Sequence, residues 1–576
     1  MPDQSATSAS LLVSDVPISF WGGLDPLSGD VIDEHHPLHG ENVVDRIVAI
    51  PGSRGSCSGS GLLLELIMID KAPAALIFCE QEEVLVLGAL VAQIMFDRPL
   101  PVLLLSPADF ARLSTNTEAT ISGMSVTVKS NNGNQVFQGV RLDAQTLVTD
   151  NDSSLILSAE DQEKIDGKHG QAVQIAMQIL LSMARIQGAR DLISITQAHI
   201  DSCVYHGPSS LLFAQTFVEW GASVAVPTTL NSVSVDKRRW QAQGIDPVFG
   251  NDASALGDAY MAMGAQMSYT CAPYLLDTAP AFGEQIVWAE SNAVAYANSV
   301  LGARTQKYPD FLDVCIALSG RAPNTGAHVD SGRIPTLRIV VTLPQQYDDA
   351  YWPLLGYHVG TLATNDIPIV YGLEAASPTT DNLKAFSAAF ATTSSVPLFH
   401  LAAITPEALA GSSLLKQFTH PELPSISIEP QDLNTSWETL NSAQSVKVDM
   451  ICLGNPHFSF TECEALASLC KGRTRSPDVA VVVTLGRAIH AQCETAGIVS
   501  QLEAFGVQLV NDTCWCMLQQ PVIPPAGSIL MTTSAKYAHY APGLVNRYIH
   551  FGSLAECVDT ACAGSRTSLK PAWLQK

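Results

Sequence analysis

Between Pro51 and Gly61 the chain reads Pro-Gly-Ser-Arg-Gly-Ser-Cys-Ser-Gly-Ser-Gly, a segment dense in glycine and hydroxyl groups with one guanidinium. Glycines let backbone amides approach an oxyanion closely, and Arg54 has the fork geometry to hold a carboxylate through two bonds. The Gly-Lys-Ser/Thr ending of a nucleotide-binding P-loop is absent. A tight glycine-serine turn at a strand end would account for the same residues without any ligand. Cys271, Cys452 and Cys514 each stand beside Pro, Asn, Gly or Thr rather than deep in an apolar periodic run. Three such thiolates could hold iron, an iron–sulfur cluster or zinc. Their spacing is too wide to form a compact metal signature, so three buried structural cysteines remain the competing reading. Cys516, two positions beyond Cys514, is a reserve ligand. His206, His328, His358, His457 and His539 could bind a carboxylate or move a proton. His457 stands out because Asn455 and Pro456 precede it at an expected strand end. Lys536 follows a short Thr-Ser-Ala turn, which suits an anion contact or an ordinary salt bridge.

These residues need elements to place them. Val43–Ile50, Val102–Leu105, Val126–Val128 and Phe137–Leu142 read as strands, giving a β-rich first unit with one or two helices. The polar stretch Thr149–Ser154 ends it. Ser158, three residues before Asp161, resembles a helix N-cap, and Ala172–Ala184 a largely buried helix. The remainder reads as more than one α/β lobe. Near the C-terminus Val479–Val483, Val507–Val510 and Ser528–Met531 are expected strands, with Arg487–Phe505 helical. Small polar motifs follow the apolar runs: Cys452–His457, Asn511–Cys516 and Thr532–Tyr537. Strand ends in such layers face the crevice where ligands bind.

The composition narrows the classes of function. With 31 basic and 55 acidic residues the formal charge is -24, which opposes nonspecific nucleic-acid binding. The apolar run Val84–Phe96 is too short to span a membrane, and no basic leader with an apolar stretch opens the chain. The expected location is the cytoplasm. Thirteen cysteines, an odd number, do not form a small disulfide scaffold. At 576 residues two to four domains are expected, preceded by a flexible arm of roughly fifteen residues.

Further fragments extend the pattern: Tyr269–Tyr274, Trp288–Ser299, Gly302–Thr305, Gly320–Pro323, Asp512–Cys514 and Ser534–Tyr540. Together with the early serine turn and Cys452–His457, their order resembles the aconitase X family, with its small swivelling domain fused ahead of the large one. The resemblance covers nearly the whole chain. It implies an α/β and β-rich multidomain fold. A swivelling, β-barrel-like small domain would span 1–153 with a flexible N-terminus, and a multi-lobed aconitase-like α/β module 154–576. It further implies an iron-dependent hydro-lyase with an iron–sulfur cluster (2Fe–2S) or mononuclear iron between the domains. The implied ligands are Cys271, Cys452 and Cys514, with Ser56 as catalytic base. Arg54, Ser58, His457 and Lys536 would contact substrate. Asn455 stands where archaeal relatives acting on phosphomevalonate tend to carry a cysteine, which bears on cluster type and substrate. The fused form with Asn455 is similar to bacterial members that dehydrate cis-3-hydroxy-L-proline to Δ1-pyrroline-2-carboxylate. Phosphomevalonate dehydration, and a noncatalytic metal-stabilised binding protein, are the alternatives. The implied partner is a small hydroxylated amino acid, with neither nucleic acid nor membrane.

Overall fold

Thr7–Val13 already forms a strand, paired in parallel with Ile47–Ala49 and antiparallel with Glu118–Ser122, so the arm expected to reach about residue fifteen is instead part of a sheet. The structure, a computed structural model, describes every residue except 1–5, 35, 55, 130–132, 144–154, 410–411, 413–422, 526–527 and 576. The expected boundary at 149–154 lies outside the described residues.

The first sheet runs in the order Gln135–Gln138, Ser125–Val128, Glu118–Ser122, Thr7–Val13, Ile47–Ala49, Ala75–Phe78, Val102–Leu104, Val140–Arg141. Its two outermost strands are neighbours in sequence, joined through Gly139 alone, so the sheet must curl until its edges meet. That near-closure makes the domain barrel-like and leaves little open edge. The helices Gly59–Met68 and Val84–Phe96 connect its parallel strands and pack on each other. Val84–Phe96 is therefore a buried helix. Gly88 allows this approach, because a Cβ there would stand 2.7 Å from the Ser60 carbonyl oxygen. Glu82 caps the helix, its carboxylate accepting from Leu85 N (2.9 Å) and Val86 N (3.0 Å).

In the large part, Ser158 forms the expected N-cap. Its hydroxyl accepts from Asp161 N (3.1 Å), and the Asp161 carboxylate accepts in return from Ser158 N (3.0 Å). Helix Gln171–Ile186 follows, burying a stripe from Ala172 to Ala184. Three parallel sheets then carry the lobes. The first is ordered Thr228–Leu230, Ala198–Ile200, Val287–Trp288. The second is His400–Leu401, Pro368–Tyr371, Leu337–Val341, Ser425–Ile428. The third is Val507–Val510, Ala480–Thr484, Met450–Leu453, Ile529–Thr532, Tyr548–Phe551. The stretch 487–505 is two helices, Arg487–Thr495 and Ile498–Phe505, because Gly497 turns at φ 72° between them.

In the third sheet the chain builds outward from Met450–Leu453 to one side and then resumes on the other at Ile529–Thr532. The first sheet reverses in the same way between Ala198–Ile200 and Val287–Trp288. At such a reversal the connections leaving two adjacent strands diverge and open a crevice beyond their carboxyl ends.

Candidate active site

Strand Met450–Leu453 ends at Gly454, where φ of 97° turns the chain into Asn455. The neighbouring strand Ile529–Thr532 ends at Ser534, whose hydroxyl donates to Asn455 Oδ1 (3.1 Å). Asn455 Nδ2 lies 2.9 Å from Cys514 Sγ and 3.3 Å from Cys516 Sγ. Cys514 Sγ is in turn 3.9 Å from Cys271 Sγ, and His457 N donates to Cys271 Sγ (3.3 Å). Cys271, Cys514 and Cys516 thus gather around one asparagine at the switch point. Cys271 and Cys516 donate to Cys514 and hold its thiol well below its ordinary range. Burial pushes the Cys271 thiol up.

Cys452 is placed elsewhere. It lies inside its strand, opposite Val482 and Thr532, with its side chain in the apolar core and fully buried. Leu453 and the left-handed Gly454 separate it from Asn455, so it does not join the other thiols. The third cysteine at the switch point is the reserve candidate Cys516. Its place in the turn after Val507–Val510 could not be read from spacing alone.

His457 also differs from its expected role. Its ring is buried, with Nε2 2.7 Å from Thr513 O and Nδ1 3.1 Å from Thr270 Oγ1. Both nitrogens are committed to the segments that carry Cys514 and Cys271, and burial holds the imidazole below its ordinary pKa. It positions the thiols rather than facing a ligand. The remaining histidines scatter. His328 bonds Tyr308 and Gln285, His358 bonds Ser436, and His539 bonds Tyr357. His206 lies with Nε2 3.7 Å from Asp310 Oδ2.

Lys536 reaches the same crevice and forms a buried ion pair with Glu290 at 2.5 Å. Burial works against its charge, but Glu290 and the thiols Cys516 and Cys514 more than offset this and hold the ammonium well above the usual lysine range. Glu290 follows strand Val287–Trp288 and caps helix Ser291–Tyr296, accepting from Ala293 N (3.0 Å) and from Asn292. Asn292 Nδ2 donates to Cys271 O (2.9 Å). Glu290 and Asn292 fall within the fragment Trp288–Ser299, but no local pattern in the sequence assigns them this role. Asp201, beyond strand Ala198–Ile200, sits with Asp310 and Asp313; burial pushes all three carboxyls up, and repulsion between neighbouring carboxylates adds to it at Asp201 and Asp310.

The serine turn approaches from the small domain. Asp310 N donates to Cys57 O (3.2 Å), and Ser60 Oγ donates to Asp310 O (3.0 Å). Ser58 is buried against the Asp310 carboxyl, which removes it from direct ligand contact. Ser56 Oγ accepts from Ser58 N (3.2 Å) and lines a cavity of 440 Å³ with Arg54, Cys57 and Lys307. A second cavity of 430 Å³ shares Ser53, Arg54 and Ser395 and is walled by Tyr357, His539 and Tyr540. The two make one cleft between the small domain and the large lobes. Arg54 lies in this cleft, but its guanidinium is already paired with Asp33 at 3.1 Å.

Two thiolates that share one tetrahedral metal at about 2.3 Å stand about 3.8 Å apart. The 3.9 Å between Cys271 and Cys514 fits that requirement, with Cys516 adjacent. Among the described residues no three His, Cys, Asp or Glu side chains already form a cage for a single ion. The donor set of three soft thiols suits iron with sulfide rather than a hard cation.

A curled swivel domain and a three-lobed α/β body, meeting at a cleft beside clustered thiols, define the class. Sequence profiles of the aconitase X swivel, first, second and third domains match residues 3–130, 154–331, 335–438 and 448–563. The chain belongs to the aconitase X family. It is 50% identical over 570 residues to a cis-3-hydroxy-L-proline dehydratase of Hypocrea jecorina, covering 98% of this chain and 95% of that one. It is 48% identical to the enzyme of that name from Pseudomonas aeruginosa, covering 99% and 97%. The phosphomevalonate dehydratase large subunit of Methanocaldococcus jannaschii is 32% identical over 70% of this chain and 99% of its own. The solved holo-form of Thermococcus kodakaraensis aconitase X superposes with a TM-score of 0.63 at 30% identity, covering 71% of this chain and all of that one. Among the described residues no helix is long and apolar enough to cross a membrane.

Proposed function

We propose that the chain is a hydro-lyase that dehydrates cis-3-hydroxy-L-proline to Δ1-pyrroline-2-carboxylate. The observation that carries this reading is the near end-to-end likeness to two cis-3-hydroxy-L-proline dehydratases, swivel domain included. The reaction removes the C2 proton and the C3 hydroxyl as water, leaving an enamine that tautomerises to the cyclic imine. Ser56, on the cleft wall, takes the C2 proton. A serine hydroxyl is a poor base in water, and the Ser58 N–H aimed at its oxygen favours the anionic form. Cys271, Cys514 and Cys516 would hold an iron–sulfur group, which when bound supplies Lewis acidity toward the departing hydroxyl. Lys536, charged and paired with Glu290, offsets the negative charge of the thiols. Asn455 fixes two of those thiols from the side. The bonds of the serine turn to Asp310 fix Ser56 at the cleft wall.

A phosphorylated substrate would ask for several cations, whereas Arg54 is bound to Asp33 and Lys307 is the single lysine among the described residues lining the cleft. The thirteen free thiols suit a reducing compartment such as the cytoplasm. The test is anaerobic turnover of cis-3-hydroxy-L-proline after iron and sulfide reconstitution, following the cyclic imine. Product from the intact protein, lost in Ser56→Ala with iron retained, is the expected result. No turnover by folded protein with a filled metal site would sink the reading.

A further inference from the structure

We infer that Lys307 binds the carboxylate of the substrate beside Ser56, an assignment that rests on the substrate being an α-amino acid. Lys307 and Ser56 line the same 440 Å³ cavity. The lysine comes from the large domain and the serine from the small one, so a ligand between them touches both. Lys307 Nζ donates to Ser394 O (3.1 Å) and Ala391 O (3.4 Å) at the carbonyl end of helix Thr380–Thr393. These bonds aim the ammonium and leave one of its three protons for a ligand. Among the described residues no carboxylate lies within ion-pair distance of it. Arg54, which also lines the cleft, differs in this respect: it is held by Asp33.

A cation at a cavity wall without a carboxylate partner has been partly stripped of water, and burial lowers the Lys307 pKa accordingly. An anionic ligand would offset that cost. The same cavity carries Glu82 and Glu83, whose carboxyls burial pushes up. Their oxygens are taken by Ser53, the Leu85 and Val86 amides and Gln187, so they do not compete for the Lys307 ammonium. The chemistry places a particular demand on this position. Loss of the C2 proton delocalises a second negative charge onto the carboxylate oxygens, so a cation there binds the transition state more tightly than the ground state. Removing it should therefore lower kcat as well as raise KM.

The test uses two planar, unreactive mimics with the reconstituted enzyme, pyrrole-2-carboxylate and the neutral pyrrole-2-carboxamide, compared by calorimetry. Wild type is expected to prefer the carboxylate by about 10- to 100-fold, the span of one charged hydrogen bond. Lys307→Met should lose that preference, and Lys307→Arg should keep most of it. Lys307→Gln, which can still donate to the helix carbonyls, guards against a folding failure and should behave as Lys307→Met does. A full carboxylate preference in folded Lys307→Met or Lys307→Gln would overturn the assignment. If wild type binds neither mimic and does not turn over cis-3-hydroxy-L-proline, the proposed function itself fails, and this assignment with it.

Discussion

Replacing His457 by alanine tests whether the thiol cluster is held by a clamp. A carbonyl oxygen only accepts, so the ring nitrogen 2.7 Å from Thr513 O, Nε2, must carry the proton. Nδ1 then accepts from the Thr270 hydroxyl at 3.1 Å. Thr270 and Thr513 each stand one residue before a thiol, Cys271 and Cys514. One buried ring therefore ties together the two segments whose sulfurs must meet. Alanine removes both bonds and strands the Thr513 carbonyl without its partner. An unsatisfied buried group costs about 1–3 kcal/mol and the second bond about 1 kcal/mol. With the vacated ring volume the loss comes to about 3–5 kcal/mol.

A local loss of that size multiplies the open population of these segments by roughly a hundredfold or more. The assay is native-state alkylation of the metal-free protein, mapped residue by residue. Cys271 and Cys514 should become reactive, while Cys452, deep in the strand, should keep its protection. His457→Gln, which retains a donor, should fall between wild type and alanine. Were His457 a substrate contact instead, His457→Ala would raise KM and leave thiol protection and stability unchanged. That outcome refutes the clamp.

Cys516→Ala should lower the iron and sulfide retained after reconstitution, and Cys452→Ala should not, as read by metal analysis and visible absorbance. Lys536→Met leaves Glu290 buried without its counter-charge and should cost about 3–5 kcal/mol in denaturant unfolding. Much of this should return in the double variant with Glu290→Gln. Gly88→Ala forces a Cβ to 2.7 Å from Ser60 O and should destabilise the small domain by about 1–3 kcal/mol in thermal unfolding. His400 is held down to about 4 by burial, so the unfolded chain takes up its proton first on acidification. Its contribution is present above about 6.5 and is lost as pH falls toward 4, a loss that His400→Gln should reduce in urea midpoints measured across that window.

Much of this organisation was legible because local rules and tertiary packing agree. Strand Val507–Val510 appeared where its apolar run placed it, and the Ser158 cap formed with aspartate as its acid. The three polar motifs after the C-terminal strands do reach one crevice, since parallel strands of one sheet end on the same side. The error at Cys452 has a physical origin. Met450–Leu453 is buried on both faces, so no alternation of polar and apolar residues reveals which way a given side chain points. Cys516 lies in a turn, where spacing of two does not fix direction. Lys307, Glu290 and Asp310 were missed because each gains meaning only from a partner far along the chain: Ser56, Lys536 and Cys57 respectively. No periodicity encodes such a meeting.

The geometry also explains why the small domain must dock firmly for this site to exist. Two sheets of the large part reverse their strand order at facing crevices, one presenting Asp201 and Glu290, the other Asn455 and Lys536. The Lys536–Glu290 pair bridges those crevices, which leaves the third wall to the serine turn. Helix Gly59–Met68 supplies the anchor. Its buried Glu65 accepts from Ser209 N (2.9 Å) at the start of helix Pro208–Glu219, where the backbone amides and the helix dipole favour an anion. Gly61 lets His206 lie against the same helix, since a Cβ would stand 2.6 Å from the ring. Opening the domain would expose Glu65, Ser58 and Ser60 together and break the bonds of the turn to Asp310. The role proposed for Ser56 therefore depends on the dock being closed. A substitution at Glu65, which touches neither the thiols nor the cleft, should depress turnover while leaving iron content intact.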